Sequence, residues 1–177
     1  MDEVTLIGNK KTFKDFRGKF SETYSKQIYS DYGITKNFIV DCYSINNRNV
    51  IRGMHYQWDK PLDKLITVLY GAILDVVVDI RSESKNFGKA YRYELSDNNG
   101  HQLWVPAGFA HGFLSLEDKT HVSYKFTELY NQDGEGGIDA FDKTLDIPWG
   151  VDLEDVIRSE KDASNYTFLE YKNNPKF

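Results

Sequence analysis

The stretch from Lys64 to Ile80, KLITVLYGAILDVVVDI, decides the fold class. It reads as two strands joined tightly near Tyr70-Gly71. In its second half Asp75, Val77 and Asp79 fall on one face, by the two-residue period of an extended chain. Leu74, Val76, Val78 and Ile80 fall on the other. Its apolar segment LITVLYGAIL is the longest in the chain. Gly71 breaks that segment, which falls well short of the roughly 20 residues of a membrane helix.

The neighbouring segments read the same way. KNFIVDCYSI is a strand of mixed polarity upstream. AYRYELS and HQLWVPAGF follow downstream, separated by the turn-rich DNNG. AHGFLSLE and THVSYKFTELY are further strands around the polar turn EDKT. Short strands at close spacing with Gly- or Asn-rich turns predict an all-β sandwich or barrel. After Tyr130 the composition changes. NQDGEGGIDAFDKTLDIPWG reads as a loop, and its GEGG as a flexible one. DLEDVIRSEKDA, acidic at its start and basic at its end, predicts a short helix. This is an annex, too small for a second domain, so residues 1–177 are expected to form one domain.

Bulk properties narrow the function. A lone cysteine, Cys42, allows no intrachain disulfide framework and fits a reducing cytoplasm. No signal peptide or membrane span is read, so no membrane partner is expected. A formal charge of -5 argues against a general nucleic-acid binder.

Four histidines carry the candidate chemistry: His55, His101, His111 and His121. His55 lies in IRGMHYQ and His111 in VPAGFAHGFL. Arg52 stands just before His55, and an arginine drawn toward the interior calls for an anionic partner. Gly112 beside His111 allows a ligand or backbone to approach closely. A metal-binding jelly roll would want a His-x-His pair, but Gln57 occupies the second position in HYQ. A third ligand such as Asp75 or Asp79 would have to be added. Acid–base chemistry requires less: a histidine base near neutral pH and a tyrosine acid, for which Tyr124 and Tyr130 are candidates. No nucleophile elbow, Walker A or G-x-G-x-x-G motif is present.

NVIRGMHYQ and LWVPAGFAHGFLSL together resemble the signature segments of the dTDP-4-dehydrorhamnose 3,5-epimerase family. FKDFRGKFSETY, DVVVDIRSESKNFGKA, YNQDGEGGI and SEKDA are similar to further family motifs, in order from Phe13 to Asp162. The resemblance implies an all-β double-stranded β-helix, the cupin jelly roll, with the short C-terminal helical annex. It implies a cytoplasmic homodimer that epimerises a nucleoside-diphosphate 4-keto sugar with no metal or redox cofactor. Its pathway would be deoxysugar or heptose synthesis for surface polysaccharide.

Carried over by motif position, His55 is the general base and Asp162 orients it, with Asp75 and Asp79 as competitors for that role. Tyr124 is the acid on the opposite face, and Lys64 supplies charge to the enolate. Arg17 and Arg52 pair with the diphosphate, and Lys161 adds charge there or contacts the nucleoside. Phe20 and Tyr130 flank base and sugar. Glu22 and Glu135 accept hydrogen bonds or position the loop, and His111 contacts the sugar. In the homodimer, Arg17 or Glu22 would enter the neighbour's site.

Thymidine-binding members carry Gln-Asp-Asn where this chain has Val40-Asp41-Cys42, so two amide side chains are missing. The nucleotide and sugar therefore stay open, as does the choice between inversion at C3 and C5 and inversion at one centre. A metal-dependent cupin enzyme and a non-catalytic sugar-nucleotide-binding module are the rival readings.

Overall fold

The structure is a computed structural model and describes residues 2–8 and 11–177. In chain order its strands are β1 (Thr5–Ile7), β2 (Thr12–Asp15), β3 (Gly18–Ser21), β4 (Val40–Asn46), β5 (Ile51–Gln57) and β6 (Lys64–Tyr70). They continue with β7 (Ala72–Asp79), β8 (Ala90–Ser96), β9 (Gln102–Val105), β10 (Phe109–Ser115), β11 (Thr120–Phe126) and β12 (Glu135–Gly137). Three short helices accompany them: α1 (Lys26–Asp31), α2 (Glu160–Ala163) and α3 (Phe168–Asn173).

The decisive stretch is indeed two strands turning at Gly71, but they enter different sheets. One sheet has the order β1-β9-β6-β11-β4 and the other β12-β5-β10-β7-β8. Gly71 sits at φ +80°, and a Cβ there would lie 2.5 Å from the Thr120 hydroxyl, so a side chain would block this passage between sheets. Strands 2 and 3 form a separate hairpin.

The alternation along β7 has a physical outlet on both sides. Ile73 and Val77 join Ile66, Val68, Leu103, Phe113 and Val122 in a cluster built from both sheets. Val76, Val78 and Ile80 instead pack with Ile51, Met54 and Tyr56, and with Ile138, Trp149, Phe168 and Tyr171 of the C-terminal segment. The annex thus covers the outer face of the second sheet. That is why β10 is buried along its whole length, His111 and Ser115 included. A third cluster, with Tyr29 of α1 and Ile34 against Leu65 and Trp104, covers part of the first sheet.

Two local expectations are corrected. DLEDVIRSEKDA does not form one helix. A 3₁₀ turn at Leu153–Asp155 and the four-residue α2 are separated by a bridge between Ile157 and Val50, so pairing with the barrel interrupts the helical run. GEGG is not a free loop either: Glu135–Gly137 is β12, which extends the second sheet beside β5. Helix α1 has no strong cap or periodic signal, and its core contact through Tyr29 is visible only in three dimensions.

Candidate active site

A cavity of about 300 Å³ opens between the two sheets. Its walls include Arg52, His55 and His111 from the second sheet, and Ser44, Lys64 and Tyr124 from the first. Cys42, Gln57, Phe113, Phe126 and Glu135 complete most of the lining.

Strands 5 and 10 approach so closely that only glycine fits at their contact. A Cβ on Gly53 would lie 2.6 Å from the Gly112 Cα, and one on Gly112 would lie 2.7 Å from the Arg52 carbonyl oxygen. Here the ladder slips: His55 pairs with His111, yet Arg52 pairs with Phe113. Gly53 and Met54 together oppose the single residue Gly112, which is a β-bulge. The bulge reverses the side-chain alternation. Ile51, Met54 and Tyr56 pack in the outer cluster, while Arg52, His55 and Gln57 line the cavity.

Each cavity histidine has its own carboxylate. His55 Nε2 is 2.7 Å from Asp162 Oδ1, and the Gly53 amide donates to Asp162 Oδ2 at 3.2 Å. Asp162 is delivered by α2, whose N-cap hydroxyl, Ser159 Oγ, accepts from the Asp162 amide. Burial pushes the Asp162 carboxyl up, but the hydrogen bonds from His55, Gly53 and Ser159 outweigh it and hold the pKa below the usual aspartate value. His111 Nε2 lies 3.0 Å from both carboxylate oxygens of the fully buried Asp75. Burial raises the Asp75 pKa against the opposing pull of His111 and Lys64. Asp79 is engaged elsewhere, by the Arg81 guanidinium at 2.7 Å and Ser84 Oγ at 2.7 Å. Of the three aspartates, Asp162 alone hydrogen-bonds His55.

On the opposite wall, Tyr124 Oη lies 2.9 Å from Ser44 Oγ, and burial raises its pKa. Lys64 Nζ donates to the His55 carbonyl at 3.3 Å. The surface Lys64 retains faces the cavity, and loss of hydration there lowers its pKa to about 8. Glu135 at the rim accepts from Tyr130 Oη at 2.9 Å and pairs with Lys161. Burial pushes the Glu135 carboxyl up, yet these partners hold it below its ordinary value. Arg52 is exposed at the cavity, with Nε held by Asn46 Oδ1 at 2.8 Å. Among the described residues no carboxylate pairs with it.

Not every expected residue gathers here. Arg17 lies at the turn of the exposed β2–β3 hairpin, paired with Asp15 at 2.6 Å. Phe20 stands opposite Phe13 with ring centroids 6.5 Å apart, and Glu22 follows β3. None of the three lines the cavity of its own chain. Sequence reading passed over Ser44, Asn46, Phe113 and Phe126, because polar residues on a mixed strand resemble a solvated face and aromatics resemble core. Gln57 is committed to structure: its amide bonds the Lys60 and Leu129 carbonyls and the Asn131 amide, anchoring the approach to β12. No cluster of three or more His, Cys, Asp or Glu side chains placed to hold a metal occurs among the described residues.

The sequence profile of the dTDP-4-dehydrorhamnose 3,5-epimerase family matches residues 1–170. This chain belongs to that family. The dTDP-4-dehydrorhamnose 3,5-epimerase of Methanothermobacter thermautotrophicus is 40% identical over 160 residues, 90% of this chain and 86% of that one. The crystal structure of the Bacillus anthracis dTDP-4-dehydrorhamnose 3,5-epimerase, with TDP and PPi bound, matches with TM-score 0.88 and 41% identity. That match covers 93% of this chain and 94% of the other. The Legionella pneumophila dTDP-6-deoxy-D-glucose-3,5-epimerase, in complex with dTDP-4-keto-L-rhamnose, matches with TM-score 0.87 and 36% identity, covering 94% of each chain. Family membership makes the protein an isomerase of the 4-keto-sugar-nucleotide 3,5-epimerase type, and its two-sheet barrel is the family's cupin jelly roll.

Proposed function

We propose that this protein, as a single cupin-type domain, inverts C3 and C5 of a nucleoside-diphosphate 4-keto-6-deoxy sugar. The C4 carbonyl acidifies both neighbouring C–H bonds, because the electron pair left by each proton delocalises onto O4. Asp162 is ionised at neutral pH and accepts the Nε2 proton of His55, which leaves Nδ1 as the basic nitrogen. His55 takes the proton from the sugar carbon and becomes imidazolium, stabilised by Asp162. Lys64 stabilises the charge developing on O4. Tyr124 then delivers its proton to the other face of the same carbon. His111, fixed by Asp75, orients the sugar.

The observation that carries this reading is that His55 and Tyr124 line one cavity from facing sheets. Inversion requires a base on one face of a carbon and an acid on the other, and two sheets separated by a sugar-sized gap provide both.

Arg52, exposed beside the cavity, fits a diphosphate oxygen through its free guanidinium edge. Lys161 reaches the nucleotide by exchanging its partner Glu135 for phosphate, and Tyr130 flanks the base. The protein acts as a cytoplasmic homodimer in deoxysugar synthesis for surface polysaccharide. The exposed hairpin supports the dimer, since Phe16 and Phe20 are 98% and 71% exposed beside Arg17, an arrangement suited to entering a neighbour's site. Glu22 would travel with that hairpin.

Incubating the protein with dTDP-4-keto-6-deoxyglucose in D2O tests the reading. Deuterium should enter C3 and C5 with formation of the inverted sugar. No deuterium at either carbon, across several nucleotides, would overturn it in favour of a binding module.

A further inference from the structure

We propose that Arg52, Asn46 and Ser44 form a one-directional hydrogen-bond relay that ends on Tyr124, holding its phenol in the acid pose and stabilising the phenolate left by proton delivery. This rests on the acid role of Tyr124 proposed above.

As far as Ser44 the direction follows from donor chemistry. A guanidinium can only donate, so the atom of Asn46 that meets Arg52 Nε at 2.8 Å is its carbonyl oxygen. The amide nitrogen therefore faces the other way. It donates to Ser44 Oγ at 3.0 Å and to the Thr120 carbonyl at 3.1 Å, and the latter can only accept. Asn46 is 1% exposed with both amide ends engaged, so its side chain has no freedom to turn over. Ser44 Oγ spends a lone pair on Asn46 and keeps its single hydrogen. Its remaining neighbour is Tyr124 Oη at 2.9 Å. Donor chemistry leaves either oxygen able to donate in this last bond, and the relay assigns the hydrogen to Ser44, which frees the phenolic hydrogen for the cavity.

Tying the end of β4 to β11 would require only the Thr120 bond. The bonds to Arg52 and Ser44 go beyond that need, and they join a permanent cation to the phenol through two oriented dipoles. In the step itself, the Tyr124 O–H bond breaks and a C–H bond forms with the electron pair of the enolate. The phenolate then accepts the Ser44 hydrogen bond. His55 holds the abstracted proton, and exchange with water returns both groups to their starting states. Ser44 and Asn46 are positioning residues, since they act through Tyr124.

The test uses dTDP-4-keto-6-deoxyglucose in D2O and follows two quantities: deuterium wash-in, which requires the base, and net inversion, which also requires the acid. Ser44→Ala should keep wash-in within about threefold of the wild-type protein while inversion falls roughly 10- to 100-fold, the usual cost of a lost orienting partner. The loss should appear in kcat with KM little changed. Ser44→Thr, which keeps a hydroxyl, should restore inversion. Asn46→Ala should show the Ser44→Ala pattern; if it does not fold, the two Ser44 variants decide. Equal loss of wash-in and inversion in Ser44→Ala, no loss of either, or failure of threonine to rescue would each overturn the relay. Absence of wash-in by the wild-type protein would overturn the epimerase reading and this inference with it.

Discussion

Arg52 and His55 project into the same cavity although an unbroken strand would turn them to opposite faces. Residues three apart have opposite parity in an extended chain. The bulge of Gly53 and Met54 against Gly112 adds one residue and restores a common face. The guanidinium and the imidazole are thereby brought to one cavity by backbone geometry, and the two glycines are what permit it.

Gly53→Ala should therefore be severely destabilising. It would add a Cβ at φ +121°, only 2.6 Å from backbone. A cost of roughly 3 kcal/mol or more is expected from strain and overpacking together. Denaturant unfolding, or loss of expression as folded protein, measures it.

His55→Ala should abolish deuterium wash-in at both centres, by roughly 100-fold or more, the usual contribution of a positioned base. The protein should still fold, because the His55 side chain is partly exposed and lines a cavity. Asp162→Asn should lower wash-in by roughly 10- to 100-fold through loss of tautomer control. Near-normal exchange in His55→Ala would show that the base lies elsewhere.

Tyr124→Phe should separate the two half-steps. Wash-in continues because His55 is intact, whereas net inversion falls by roughly 100-fold or more. NMR of the recovered sugar nucleotide distinguishes deuterated starting material from deuterated product.

Lys64 gives a pH signature. With its pKa lowered to about 8 by burial, its charge is lost as pH rises through that value. The kcat/KM profile, which reports the free enzyme, should fall above about pH 8, and Lys64→Met should lose this limb along with roughly 100-fold in rate. Stability moves the other way. Between about 8 and the ordinary lysine value of 10.5 the unfolded chain binds the extra proton, so this residue makes stability rise with pH across that window. Lys64→Met should accordingly raise the Tm at pH 7.

The pair Val40→Gln and Cys42→Asn tests nucleotide recognition. Cys42 lines the cavity, at a position where the family resemblance implies an amide for thymidine binding. Restoring both amides should tighten dTDP binding about tenfold, the equivalent of one good hydrogen bond of about 1.4 kcal/mol. Calorimetric titration measures the change. Unchanged affinity would mean that the base is recognised without this strand.

Much of the barrel was legible because its strands are long enough to carry a period. The alternation of Asp75 and Val77 against Val76 and Val78 correctly separates the cavity-side face from the face beneath the annex. The His55–Asp162 contact was legible only through motif resemblance, since no local pattern links residues so far apart in the chain. The bulge was not legible, because RGMH gives no sign of which residue will go unpaired. Nor was β12, whose three residues form a strand only because β5 offers them an edge. Ser44 and Asn46 were missed for a related reason: a polar residue in a strand reveals its use only when its partner on another strand is known.

The annex that seals the outer face of the second sheet also carries Asp162, and this fixes the order in which the site can be completed. During synthesis every cavity strand emerges before Asp162 does. A chain halted after β12 would hold His55, Lys64 and Tyr124 but lack the carboxylate that hydrogen-bonds His55. Its second sheet would also lack the cover of Phe168 and Tyr171. The His55–Asp162 contact is thus made last, together with the final layer of core, and on the role proposed for Asp162 turnover would report a finished fold.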